Sequence, residues 1–317
     1  TVMDLETMNL EGKHAAVVVP LLGEEHSPEA LAEVGATLAG SRTVEVLHVT
    51  DVPDQVSLSA VALEDSVEVS ALQRRIGAMS QTKDATLHVS PVVTRDVVQT
   101  VHDSTKSLEC EWVVMAWQGK TSNRFGILSP LGWLADHLSC NLALYKDAGV
   151  RYIRHILVYA EPGPDDALVV STSDLLAKEY NAELTFVRFV SDDQDAPELQ
   201  SEGDYLDQIR AMCTANTRSL ILRGDSEIEA IAGATAAYDL LVLGAPPDTS
   251  FTKCLLGTDR DKLTEQATCS VLRLKTSKVS TKHPSLIQQI TPAEDPHGIL
   301  HFIDDSCAQA RINITKK

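Results

Sequence analysis

A glycine loop that leads into a helix N-terminus is a phosphate site in waiting: its amides point outward and the helix dipole favours an anion. One stretch of this sequence has that form. Gly244-Ala245-Pro246-Pro247 is followed, after nine further residues, by Gly257-Thr258 at the opening of an expected helix. Thr258 can cap that helix or offer its hydroxyl to a phosphate. Pro247 works against the site, because proline donates no amide and fixes φ at about −65°.

The other reactive residue types do not assemble into a catalytic set. Gly119-Lys120-Thr121 has the end of a P-loop, but that motif needs an earlier glycine where the sequence has Val114. His297 and His301 share a helical spacing, yet Pro296 and Gly298 oppose a helix there, so the segment reads as surface tail and not as a zinc site. There is no G-x-S-x-G elbow and no H-E-x-x-H. Asp165-Asp166 and Asp192-Asp193 read as solvated loop charges. Trp112, Trp117 and Trp133 read as core and loop packing. No enzyme activity and no metal are expected.

The elements that must position the glycine loop come in two similar runs. His14-Ala15-Ala16-Val17-Val18-Val19 is answered by His155-Ile156-Leu157-Val158-Tyr159-Ala160. Glu111-Trp112-Val113-Val114-Met115-Ala116 is answered by Asp239-Leu240-Leu241-Val242-Leu243-Gly244, and Ser139–Lys146 by Thr268–Lys275. A period this long suits two similar domains, not a solenoid.

In the first run, strands are expected at Val17–Val19 (ended by Pro20), Val44–Val49, Thr86–Val93, Trp112–Met115 and Asn141–Tyr145. Helices fall over 28–39, 65–79, 96–108 and 133–137. In the second, strands are expected at Ile156–Ala160, Leu184–Val190, Ser219–Leu222, Leu240–Leu243 and Val271–Leu274. Helices fall over 166–180, 202–216, 226–237 and 259–266, with an acidic loop at 191–198. Short apolar strands alternating with helices predict an α/β fold with a parallel sheet covered on both faces. The domains are placed at 1–149 and 150–276, with a tail at 277–317.

Composition narrows the function. The 317 residues carry 45 acidic against 27 basic side chains, a formal charge of −18. That balance excludes general nucleic-acid backbone binding and docking on an anionic membrane. Six cysteines without a C-x-x-C pair fit a reducing, intracellular setting. No apolar run is long enough to span a bilayer, no signal peptide opens the chain, and a start at Thr1 reads as a piece excised from something longer.

The order of strands and helices, closing on "D-L-L-V-L-G", a glycine loop, a helix and "C-S-V-L-R-L", resembles the universal stress protein family in tandem form, over about residues 12–276. The resemblance implies two open parallel-sheet, Rossmann-like halves. It also implies an adenine-nucleotide site in the second half: phosphates at Gly244, Gly257 and Thr258, and the ribose or base near Glu161, which matches the family's acidic residue after the first strand. Pro247 stands in place of the family's middle glycine. The first half keeps only Gly119, with Ala116 and Ser129-Pro130 at the other positions and Pro20 in place of the carboxylate, so it is expected to bind nothing.

The lead-in "D-L-E-T-M-N-L-E-G-K-H" and the stretch "L-G-W-L-A-D-H-L-S-C-N-L-A-L-Y-K-D" running into "R-H-I-L-V-Y-A-E-P-G-P" resemble modules fused behind the membrane domain of amino-acid/polyamine/organocation-type permeases. Cation–chloride cotransporters carry a related tail. The resemblance implies a non-catalytic regulatory or assembly domain on the cytoplasmic side of the cell membrane. Its partners would be the transmembrane domain of the same transporter and a second copy of the chain. The alternatives are a free-standing tandem stress protein that binds ATP or AMP, and a purely structural dimerisation platform.

Overall fold

The protein is described from a computed structural model, over residues 13–23, 25–53, 55, 67–117, 134, 137–193, 196–245 and 259–277. In chain order the elements are β1 (Val17–Leu21), α1 (Pro28–Ala39), β2 (Thr43–Asp51), α2 (Val67–Ser80), β3 (Thr86–Thr94), α3 (Val97–Ser107), β4 (Trp112–Ala116) and β5 (Asn141–Lys146). There follow β6 (His155–Tyr159), α4 (Asp166–Tyr180), β7 (Glu183–Ser191), α5 (Ala196–Ala211), β8 (Thr217–Gly224), α6 (Glu227–Ala234), β9 (Leu240–Gly244), α7 (Asp259–Gln266) and β10 (Ser270–Lys275).

The strands form one ten-stranded sheet in the order β3-β2-β1-β4-β5-β10-β9-β6-β7-β8. Every neighbouring pair is parallel except the central one. β5 and β10 run antiparallel, from Val271 opposite Lys146 to Lys275 opposite Leu142. The order on one side of that seam repeats on the other. The final strands of the two sequence repeats are therefore the strands that pair, and each covers what would otherwise be an open sheet edge. The outer edges carry their own protection: Pro91 in β3, and Arg218 and Arg223 in β8.

The cores follow from the alternation of side chains along each strand. On one face, Val17, Val19, Val44 and Val46 join Ile156, Val158, Leu184 and Phe186 in a single cluster that crosses the seam beneath α1 and α4. On the other face the two halves keep separate clusters. One gathers Val18, Leu47, Val101 and Leu134, and the other Leu157, Tyr159, Ile231, Leu241 and Leu263.

Several element ends differ from expectation. β1 continues through Pro20 to Leu21. Its pairing with β4 stops at Val18 opposite Val113, so beyond that point the proline has no ladder bond to β4 to lose. Helix α5 begins at Ala196, inside the expected acidic loop, with Pro197 in its first turn, where a missing amide is harmless. It ends at Ala211 and not at 216, because the Asp174 carboxylate takes the amides of Thr214 (2.9 Å) and Ala215 (2.8 Å). Ser277, assigned to the tail by the sequence reading, is buried. Its amide donates to Asn141 Oδ1 at 3.0 Å and its hydroxyl to the Ser139 carbonyl at 2.6 Å.

Candidate functional site

In an open parallel sheet, ligands bind beyond the carboxyl ends of the strands where the strand order reverses. In the second half that point lies between β6 and β9, paired from Ile156 opposite Leu240 to Tyr159 opposite Leu243. Glu161 leaves β6 two residues past Tyr159. Gly244 closes β9 directly after Leu243. The structure thus brings Glu161 and Gly244 to the same crevice. Gly257, Thr258 and Pro247 lie outside the described residues.

Glu161 is not free. Arg260, the second residue of α7, forms an ion pair with Glu161 Oε2. The Tyr159 hydroxyl lies 2.8 Å from Glu161 Oε1 and also contacts Glu227 Oε1, at the start of α6. One phenol has one proton, so it serves these two carboxylates in turn. The Arg260 guanidinium lies over the Tyr159 ring, 4.3 Å from its centre, a cation–π arrangement. Burial pushes the Tyr159 phenol up to about 12, and Arg260 offsets part of that rise. The phenol stays a neutral donor under all ordinary conditions.

Alongside this group, Arg188 of β7 is ion-paired with Glu202 of α5 and donates to the Ala160 carbonyl at 3.2 Å. Both of these guanidiniums are therefore committed to carboxylates.

The floor beneath Gly244 is acidic. A Cβ placed on Gly244 would lie 3.3 Å from the Asp165 Cβ, so the glycine admits a neighbouring carboxylate. Asp165 Oδ1 accepts from the Thr276 amide at 2.7 Å, and burial raises its pKa. Asp166 is 2% exposed and accepts from the Ala167 amide at 2.6 Å. The reading of Asp165-Asp166 as solvated loop charges is corrected here: both are packed at the N-terminus of α4, where the helix dipole favours them. The first turn of α7 likewise holds Asp259 and Asp261, and Asp261 binds the buried Arg273 at 2.5 Å. A phosphate entering the crevice meets helix termini whose dipoles already face carboxylates.

In the first half, the Glu25 carboxylate takes the amides of Leu22 (2.6 Å) and Gly23 (2.9 Å) just past β1. The loop after β1 is thus closed on itself. Beyond β4, Trp117 donates its amide to the Tyr145 carbonyl at 2.8 Å. Gly119, Ser129, Pro130, His297 and His301 lie outside the described residues. Among the described residues there is no group of three or more His, Cys, Asp or Glu placed to hold a metal ion. No described helix is long and apolar enough to cross a membrane.

The sequence reading missed Tyr159 and Glu227 as crevice residues. One signal was available for Tyr159: side chains two apart on an extended chain share a side, which places it with Glu161. Nothing local announces Glu227, which lies 68 positions from its partner.

The crevice and strand order can be set against known proteins. No protein-family profile matches the chain, and no curated protein does. Solved structures match it in shape. A universal stress protein from Archaeoglobus fulgidus superposes with a TM-score of 0.61, covering 86% of this chain and 100% of that one at 14% identity. The fold is that of the universal stress proteins. A protein of unknown function from Pseudomonas aeruginosa PAO1 gives a TM-score of 0.53 over 84% of this chain and 94% of its own, at 16% identity. The cytoplasmic domain of a prokaryotic cation chloride cotransporter gives 0.52 over 83% and 96%, at 14% identity. At these identities the likeness concerns the fold alone.

Proposed function

We propose that this chain is a non-catalytic regulatory or assembly module of a membrane secondary transporter, held on the cytoplasmic side of the membrane and built from two stress-protein-like halves in tandem. The observation that carries this reading is the state of the switch-point crevice. Its one retained carboxylate is ion-paired to Arg260, its second guanidinium is bound to Glu202, and Asp165 stands against Gly244 with the buried Asp166 next in sequence. Among the described residues this crevice presents no free nucleophile or base, and its carboxylates discourage a polyanion. The likeness of fold to a cotransporter's cytoplasmic domain, over most of both chains, supports the same reading. The partners are the transmembrane domain of the same transporter and a second copy of the chain.

The test is fractionation of cells that express the natural gene, probed with an antibody against this chain. The expected band is far heavier than 34.4 kDa and sediments with membranes. A soluble band at 34.4 kDa would overturn the proposal.

A second reading, a free-standing tandem stress protein that binds ATP or AMP, is favoured by one fact: Glu161 and Gly244 stand at the carboxyl ends of the strands that pair at the switch point. On that reading Arg260 leaves Glu161 for the phosphate, and Glu161 accepts from a ribose hydroxyl.

A further inference from the structure

A cavity of about 380 Å³ opens at the seam, away from the switch-point crevice. Its walls come from both halves: Glu33 on α1, Tyr145 on β5, Tyr180 at the end of α4, and the connecting segment that carries Arg151, Tyr152 and Arg154. The volume falls in the range of small-molecule sites, and such sites favour the junction between units.

Its chemistry differs from that of the rest of the molecule. The chain carries a formal charge of −18 and has only six tyrosines. Three of those tyrosines line this one cavity. Tyr145 and Tyr180 are packed into its inner wall, and burial raises the pKa of both phenols, which keeps them neutral. Tyr152, at the rim, is 76% exposed. Glu33 shares the Lys83 ammonium, at 3.3 Å, with Glu179, at 3.0 Å. Lys83 in turn lies over the Tyr180 ring, 5.7 Å from its centre.

Arg151 and Arg154 are exposed, and neither makes an ion pair among the described residues. Most other described arginines are bound: Arg42 to Glu111, Arg75 to Glu29, Arg210 to Asp207, Arg260 to Glu161 and Arg273 to Asp261. Two uncommitted guanidiniums three positions apart can fork onto one planar acid group, and tyrosine faces supply an apolar wall for a ring.

We infer that this cavity binds a small ligand made of a flat ring bearing one carboxylate or one phosphate, with Arg151 and Arg154 holding the acid group and the tyrosines the ring. A ligand seated there touches α1 of the first half and α4 of the second at once, so its binding stabilises their packing.

The test uses the whole chain and three probes: 2-naphthoate, 2-naphthyl phosphate, and the neutral 2-naphthamide. Calorimetry should find at least one of the two acids binding tenfold or more tightly than the amide. Whichever binds tighter identifies the acid group. The double substitution Arg151→Ala/Arg154→Ala should weaken that acid tenfold or more, while leaving the melting temperature of the free protein unchanged, because both side chains are exposed. Tyr152→Ala should weaken it severalfold. Substitution at the separate crevice, Glu161→Gln, should leave the affinity as it was. Absence of binding at millimolar concentration, equal affinity for acid and amide, or full affinity in the double variant would each overturn the assignment.

Discussion

Lys146, the last residue of β5, donates its ammonium to the carbonyl of Ala267 at 2.8 Å, across the seam between the two halves of the sheet. The same nitrogen reaches the Thr264 carbonyl at 2.8 Å and the Glu265 carbonyl at 3.3 Å. These are the orphan carbonyls at the end of α7, where the helix dipole favours a cation. A side chain of the first repeat thus caps a helix of the second. Burial lowers the pKa of Lys146, with partial compensation from Cys269 and Glu265, and three charge-assisted bonds hold it in place.

Lys146→Met should therefore destabilise the protein by about 1–3 kcal/mol, the usual worth of hydrogen bonds to a charged group plus the helix-end contribution. Lys262→Met is the control. Lys262 sits on the same helix, paired among the described residues with the exposed Asp259, and should change stability by less than about 0.5 kcal/mol. Urea unfolding of the two variants decides it. Equal losses would show that Lys146 contributes no more than a surface pair.

Two helical glycines should respond to alanine in opposite directions. Gly35 lies where α1 presses on β1, and a Cβ there would sit 2.9 Å from Val19 Cγ2 and 3.4 Å from Val17 Cγ1. Both valines are fully buried, so Gly35→Ala should cost about 1–2 kcal/mol net of its gain in helix propensity. Gly77, in α2, has nothing within 4 Å of the added carbon, and Gly77→Ala should stabilise by about 0.5–1 kcal/mol. Thermal unfolding of both variants gives the signs.

The fold was largely legible because its signals are local. Val17–Val19 and Leu240–Leu243 are continuous apolar runs, and such runs read as strands buried on both faces. The repeat of "S-C-N-L-A-L-Y-K" in "T-C-S-V-L-R-L-K" marked equivalent strands in the two runs, and these are the two that pair at the seam. Boundaries failed where a distant partner decides them. Asp174 ends α5 from 40 positions away, and Asn141 draws Ser277 out of the tail. The site was legible only in part. The sequence placed Glu161 and Gly244 at the ends of neighbouring strands, and the spacing of Tyr159 from Glu161 was its one further signal; it offered no sign that Arg260 already occupies the carboxylate, or that Asp165 stands against Gly244.

Those neighbours set how the crevice should treat a nucleotide. Arg260 must leave Glu161 before it can meet a phosphate, and Asp165 and Asp166 repel one. Calorimetry should accordingly show weak binding, with AMP or a cyclic nucleotide bound at least as well as ATP. Arg260→Ala should abolish it. Asp165→Asn keeps the acceptor for the Thr276 amide, removes a buried charge, and should tighten it. Tight ATP binding unchanged by Arg260→Ala would mean that the phosphates sit elsewhere.

The buried phenols and thiols set the response to alkali. Burial pushes the Cys269 and Cys213 thiols up to about 11, from 9.0, and the Tyr159 phenol up to about 12, from 10.0. A group whose folded pKa is raised holds its proton longer in the folded chain. The stability it contributes is complete below its unfolded pKa and is lost as pH rises through the folded value. The loss should begin above about pH 9, as the thiols start to titrate, and steepen toward pH 12. Asp174 has the opposite sign. Burial alone would raise it, but the amides of Ala215 and Thr214 and the Lys178 ammonium bring it below 3.8. Its contribution is present above that value and disappears as pH falls below it. Urea midpoints should therefore fall on both sides of a plateau spanning neutral pH. The Cys110 thiol is raised as well, chiefly by its hydrogen bond to Cys140, so alanine at Cys110, Cys213 and Cys269 together should delay the alkaline fall to the range set by the tyrosines, and a midpoint that still drops from pH 9 in that triple variant would show that these thiols are not its cause.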